Sequence, residues 1–125
     1  MSGLTLDTGA LIAFERNDRA VVAIVARALE HGIQVAIPAG VVGQAWRDGR
    51  RQVRLTRLLA SDTVAIESLD DRRARAAGQL CGVTKTRDVI DASVVLCARA
   101  HGHGVVTSDP DDLRRLDGAL RLVVI

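Results

Sequence analysis

Two periodicities alternate along the chain. Leu4-Thr5-Leu6 leads to Asp7 as a short strand, and Gly9 to Phe14 reads as a short helix. Asp18 is placed to cap a helix over Arg19 to His31, where Val21, Val22, Ile24, Val25, Ala28 and Leu29 recur at helical spacing and Gly32 stops the run. Gln34 to Ile37 is a second strand. Pro38 suits the first turn of a helix continuing over 39–47, until Asp48-Gly49 breaks the pattern. Gln52 to Ala60 follows as a helix with Val53, Leu55, Leu58 and Leu59 inward, and Thr63 to Glu67 alternates as a third strand. Asp70 to Cys81 is helical, 82–86 is a loop, and Asp88 caps a helix over Val89 to His101. After the turn Gly102-His103-Gly104 come a fourth strand (Val105 to Thr107), a short helix (Pro110 to Leu116) and a last strand (Leu120 to Val124).

Strands alternating with helices imply a parallel sheet covered on both faces. The 125 residues suffice for one domain over 1–125, with no repeat or linker. In such sheets ligands sit beyond the carboxyl ends of the strands, where the strand order switches direction. Asp7 and Asp109 both lie at carboxyl ends, and they meet if the first and fourth strands are neighbours.

Composition narrows the reading only a little. Apolar residues make up 48% of the chain, enough to fill a core, and the net charge of +2 neither requires nor excludes a nucleic-acid partner. All but one of the 17 basic residues are Arg, which suits bidentate phosphate contacts. Cys81 and Cys97 fall among apolar helical neighbours and read as buried thiols of a reducing compartment. No signal peptide is recognised at the N-terminus, and no apolar run approaches the ~20 residues of a membrane span, so a cytoplasmic location is expected.

The acids change the picture most. Asp88 and Asp91 share one face in the first turn of their helix. Helix capping accounts for Asp88 alone. It accounts less well for Asp91, which lies past the cap with Ile90, Ala92, Val94 and Val95 around it. Several carboxylates in one cleft raise each other's pKa values unless a cation intervenes. Hard ions such as Mg²⁺ or Mn²⁺ take oxygen ligands, and such a centre supports in-line attack on a phosphodiester.

In this order and spacing the segments LTLDTGALIAF, IPAGVVGQAW, DVIDASVVLCARAHG and VVTSDPDDL resemble the four motifs of PIN-domain ribonucleases, most of all the VapC-type toxins of toxin–antitoxin pairs. The resemblance covers essentially the whole chain. It implies a three-layer α/β fold with a five-stranded parallel sheet of order 3-2-1-4-5, and RNA cleavage dependent on Mg²⁺ or Mn²⁺. It places Asp7, Asp91 and Asp109 as catalytic metal ligands, and beside them Asp88 and Gln44 are lesser candidates. It also implies a homodimer and a small VapB-like antitoxin that wraps the toxin and blocks the cleft.

One position departs from the family pattern. The second motif usually offers a Glu, and Gln44 stands there. Its carbonyl can coordinate an ion or orient a water but adds no charge. Weaker metal binding is therefore expected, with Asp88, Asp111 or Asp112 as substitutes, although Asp111 and Asp112 also read as first-turn helix acids. The alternative function is a catalytically weakened or inactive PIN protein that binds RNA or an antitoxin without cutting.

Thr8 and Thr107 are supporting candidates that read equally well as turn hydroxyls. Arg47, Arg50, Arg51, Arg54 and Arg57 recur at roughly helical spacing as an RNA-binding or partner-binding face, for which a solvated helix surface is the plainer account. The scarcity of aromatics argues against base-stacking platforms. His31, His101, His103 and the cysteines show no zinc-ligand spacing. A haloacid-dehalogenase-type phosphatase also begins from an Asp after the first strand. It wants a second Asp where Gly9 stands, and a core Lys where only Lys85 exists.

Overall fold

The computed structural model describes residues 3–125. Five strands, β1 (Gly3–Leu6), β2 (Gln34–Pro38), β3 (Val64–Glu67), β4 (Gly104–Thr107) and β5 (Leu122–Val124), form a parallel sheet of order β3-β2-β1-β4-β5. The order matches the one implied by the motifs. β1 and β4 are neighbours, with Leu6 opposite Val106, so Asp7 and the turn after Thr107 emerge side by side at the switch point.

The helices are α1 (Thr8–Glu15), α2 (Arg19–Glu30), α3 (Ala39–Ala45), α4 (Val53–Leu59), α5 (Asp71–Thr84), α6 (Val89–His101) and α7 (Pro110–Leu116). α1 packs against α2, α3 and α4, while α5, α6 and α7 pack together and α6 lies on β1, β2 and β4. Right-handed crossovers require this division, because β1→β2→β3 moves across the sheet in one direction and β3→β4→β5 returns in the other. The central strands are buried along their length, as a sheet covered on both faces demands. α6 is the most buried helix, with Ala92, Ser93, Val94, Val95, Cys97 and Ala98 enclosed. Its small residues let it sit close to the sheet.

Four sequence expectations need correction. Pro38 is the last residue of β2, opposite Glu67 of β3, and only caps α3. Its missing N–H therefore falls where the ladder ends. α5 runs through Gly82 to Thr84, and the chain leaves it at Lys85 in a left-handed conformation (φ 57°) rather than at a loop over 82–86. Thr84 anchors the extra turn by donating its hydroxyl to the Leu80 carbonyl at 2.8 Å. Val53 is 47% exposed, not inward. It lies two residues, or ~200°, from Leu55 on a helix that buries Leu55 and Leu58. Finally, α3 ends at Ala45, so Arg47, Arg50 and Arg51 lie in the loop before α4 and do not share a helix face with Arg54.

Candidate functional site

Asp7 has two duties. It is the N-cap of α1, where its carboxylate accepts the Ala10 N–H at 2.8 Å, and it is 5% exposed at the sheet edge. Burial pushes its pKa up, hydrogen bonds from the Thr107 hydroxyl and Ala10 N–H oppose that, and the Asp109 charge adds to the rise. Gly9 packs against Ser108, whose hydroxyl would have to rotate away from a Cβ placed 2.2 Å from it.

Thr107, fully buried at the end of β4, links two of the acids. Its hydroxyl donates to Asp7 and accepts the Asp109 N–H at 2.9 Å. This exceeds a turn hydroxyl bonding its own backbone, because it fixes Asp109 relative to Asp7. Asp109 starts α7 without capping it through its side chain. Instead it shares a hydrogen bond with Asp112 one turn on, and that bond together with the Asp109 charge raises the Asp112 pKa. Asp111, on the same turn, is exposed.

Asp88 caps α6, its carboxylate accepting the Asp91 N–H at 2.9 Å. Asp91 reaches the same cleft from past the cap. Its carboxyl is pushed up to about 7, first by burial and then by the charges of Asp88, Asp112, Asp7 and Asp109. Gly40, in the first turn of α3, packs against the Ile90 side chain, whose terminal methyl occupies the space 2.4 Å from where a Cβ would stand. The sheet edge and the starts of α6 and α7 thus bring five carboxylates into mutual range. They do not form a tight trio of oxygens all within 4.8 Å of one another.

Gln44 is exposed and is tied to this cluster through Thr8, the residue after Asp7. Its side-chain oxygen accepts a short hydrogen bond from the Thr8 hydroxyl. The carbonyl standing where the family pattern has a carboxylate is therefore held by the residue next to Asp7.

Basic side chains flank the acids, but not the expected ones. Lys85, Arg87 and Arg115 line a hollow of about 310 Å³ together with Asp88, Asp91 and Asp112. Sequence reasoning passed over these three because they are scattered over two helix ends and a loop. Of the earlier arginine run, Arg47 lines a separate hollow of about 250 Å³ with Gln44, and its guanidinium donates to the Gly43 and Trp46 carbonyls at 3.2 and 2.7 Å. Arg50 and Arg54 are exposed, and Arg51 makes only a loose surface pair with Asp48 at 3.9 Å.

A second polar cluster lies toward the other end of α6. His101 Nε2 is 2.5 Å from Glu67 Oε2, and Arg73 Nη2 is 2.8 Å from Glu67 Oε1. The Cys97 thiol hydrogen-bonds to Glu67 and approaches Thr5 Oγ1 at 3.7 Å. His103, buried, is held between Thr5 and Gln34 at 3.0 Å each. Among the described residues, Glu67, Cys97 and His101 are the group of three whose potential ligand atoms all lie within 4.8 Å of one another. The expectation that no His or Cys shows ligand spacing is therefore corrected. Cys97 and His101 are four apart on one helix face, and the third member arrives from β3.

Residues 4–119 match the model of the PIN domain. No curated protein matches the chain. Among solved structures the fold is similar to a toxin–antitoxin complex from Klebsiella pneumoniae, at 22% identity over 98% of this chain and 97% of that one, with a TM-score of 0.70. It is also similar to VapC20 of Mycobacterium tuberculosis, described as a sarcin-ricin-loop-cleaving toxin, at 18% identity over 82% and 87% of the chains (TM-score 0.62). A third is VapBC2 from Rickettsia felis bound to a DNA fragment from its promoter, at 15% identity over 98% of each chain (TM-score 0.66).

Proposed function

The chain belongs to the PIN domain family, and from that premise we propose that it is a metal-dependent endoribonuclease, the toxin of a VapBC-type pair. The observation that carries this reading is Asp91. A half-buried carboxyl pushed up to about 7, first by burial and then by four like charges at a sheet switch point, is an arrangement that a divalent cation relieves.

The donor set fits such an ion. Asp7, Asp91 and Asp109 offer hard oxygens and Asp88 or Asp112 lies within reach. Mg²⁺ needs only one or two carboxylates because it retains waters, so the open spacing of these acids is suitable, and Mn²⁺ can take its place. When bound, the ion supplies a lowered pKa for water and neutralises charge building on the phosphate.

The chain's own residues do the rest. Thr107 holds Asp7 and Asp109 in fixed relation. Asp91 must give up its proton to act as a ligand, so metal binding is coupled to pH. Thr8 holds the Gln44 carbonyl in place. Lys85, Arg87 and Arg115 contact the RNA phosphates and position the scissile bond, a role first expected of Arg47, Arg50, Arg51 and Arg54. The attacking group is water.

The solved relatives include toxin–antitoxin complexes, which supports a VapB-like antitoxin as partner; the homodimer, each copy one PIN unit over 1–125, rests on the family resemblance alone. No helix among the described residues is long and apolar enough to cross a membrane. We assign the protein to the cytoplasm, where Cys81 and Cys97 stay reduced.

Cleavage of a mixed RNA pool by purified, antitoxin-free protein, with Mg²⁺, Mn²⁺ or EDTA and beside Asp7→Asn, tests the reading. Metal-dependent cleavage absent from the variant is expected. A folded protein that cuts nothing with either metal overturns it in favour of a PIN protein that binds without cutting. The uncharged Gln44, already engaged by Thr8, favours that second reading.

A further inference from the structure

We propose that Glu67, Cys97 and His101 form a binding site for a borderline-soft divalent ion of the Zn²⁺ class, distinct from the acidic cleft and independent of the nuclease reading. Three features support it.

The first is the donor set. One carboxylate, one thiol and one imidazole are the mixed ligands that select Zn²⁺ over Mg²⁺, whereas the cleft offers oxygens alone. The ligand atoms already lie within 4.8 Å of one another. Metal–ligand distances of about 2.0–2.3 Å in a tetrahedron require ligand separations somewhat under 4 Å. The main adjustment is to part His101 Nε2 from Glu67 Oε2, now 2.5 Å apart. Both side chains retain solvent access, at 30% and 19% exposure, and have room to move.

The second is the surrounding support. Arg73 binds the other carboxylate oxygen, Oε1, leaving Oε2 toward the site. Thr5 Oγ1 lies 3.7 Å from the Cys97 sulfur. Outer partners of this kind orient metal ligands and are part of a working centre. His103 contributes no ligand, because both its ring nitrogens are engaged by Thr5 and Gln34.

The third is access. A hollow of about 470 Å³ lined by Glu67, Ser68, Asp70, Arg72, Arg73 and Ala76 opens on Glu67. Cys97 and His101 do not line it, and the partial exposure of Glu67 and His101 is what gives an ion a way in. The charges balance, since binding releases the Cys97 proton to solvent and leaves Zn²⁺ facing one thiolate, one carboxylate and a neutral imidazole. Cys97 and His101 lie ~9 and ~15 Å along α6 from Asp91, so the two centres do not share ligands. The bound ion would tie the carboxyl end of β3 to α6.

The test uses Co²⁺ as a coloured substitute, added alone to the reduced, metal-free protein. Thiolate-to-cobalt charge-transfer absorption at one equivalent, bleached by Zn²⁺, is expected. It should persist in Cys81→Ser, which removes the other thiol, and in Asp91→Asn, which disarms the cleft. Loss in both Cys97→Ser and His101→Gln completes the expected pattern. His101 is partly exposed at a helix end, so its variant decides if Cys97→Ser fails to fold. No thiolate absorption in the wild type at excess Co²⁺, or absorption surviving in His101→Gln, overturns the site.

Discussion

At the first turn of α6, Asp88 and Asp91 face Asp7, Asp109 and Asp112, and the carboxyls of Asp7 and Asp91 are both raised. At its last two turns, Cys97 and His101 meet Glu67 beside Arg73. Burial alone would raise Glu67 too, but the hydrogen bonds and charges of His101 and Arg73 outweigh it and hold the carboxyl below its ordinary value. One helix thus carries a cluster short of positive charge and a cluster already balanced. The first gains by taking up a cation as it stands. The second must give up a thiol proton, with the Cys97 thiol pushed up to about 11, mainly by burial. The cleft should therefore bind hard ions weakly but readily near neutrality. The Glu67 centre should bind only ions that compete well for a thiolate.

The largest effect that could break this contrast is in the RNA assay. Asp91→Asn is expected to reduce metal-dependent cleavage by at least ~100-fold, since loss of even outer partners of metal ligands costs 10–100-fold. His101→Gln should leave cleavage unchanged. Equal losses in both variants would merge the two clusters into one functional unit.

Charge at the cleft rim comes next. Reversing Lys85 and Arg87 to Glu should weaken RNA binding by roughly tenfold or more at low salt and flatten its salt dependence, as for any lost phosphate contact. The same change at Arg50 and Arg54 should do much less. Direct binding titrations at two salt concentrations separate these outcomes.

Gln44→Glu restores the carboxylate that the family pattern has at this position. A Mn²⁺ titration should show tighter binding, by about tenfold if the new carboxylate contributes ~1.4 kcal/mol. Unchanged affinity would mean that position 44 does not reach the ion.

The smallest effects concern stability, where the two clusters should differ in sign. Asp91 has a native pKa near 7 against 3.8 for the free side chain, so the folded state binds the extra proton between those values. Stability in the absence of metal therefore falls as pH rises from about 4 to 7. Asp91→Asn should be more stable than the wild type by about 1–2 kcal/mol above pH 7, after discounting for solvent screening, with the gap closing toward pH 4. Glu67 has the opposite shift. Its contribution is present at neutral pH and lost as pH falls through its lowered pKa. Glu67→Gln should therefore destabilise by under about 1 kcal/mol at pH 7. Urea denaturation in EDTA at about pH 8 and 5 reads the Asp91 effect, and a third series at about pH 3 reads the loss of the Glu67 contribution.

Most of the fold was legible because pattern and punctuation agreed. Asp18, Asp70 and Asp88 cap the helices they precede, and Gly32 and Gly102 take up positive φ just past two helix ends. The failures have local causes. Gly82 looked like a stop signal, but a helix tolerates an exposed glycine when the next turn is anchored, as Thr84 does here. The arginine run looked periodic because spacing was counted through a loop. At the site, Asp7, Asp91 and Asp109 could be read as chain-end acids of β1, α6 and β4. The role of Thr107 in joining two of them could not, because it depends on the register of β1 against β4. The Glu67 cluster was hidden for a similar reason. Glu67 lies thirty residues before Cys97, and only the placement of edge strand β3 under α6 brings them together.

The double duty of Asp7 has a genetic consequence. Asn caps a helix about as well as Asp, and Asp and Asn codons differ by a single base. On the nuclease reading proposed above, that one change removes a metal-binding charge, while it keeps the hydrogen bond from Ala10 and relieves the cost of a buried carboxylate. If Asp7 carries the proposed activity, a gene encoding this chain can be disarmed in one mutational step without unfolding its product. Silent copies of it should persist as well-folded proteins rather than decay as misfolded ones.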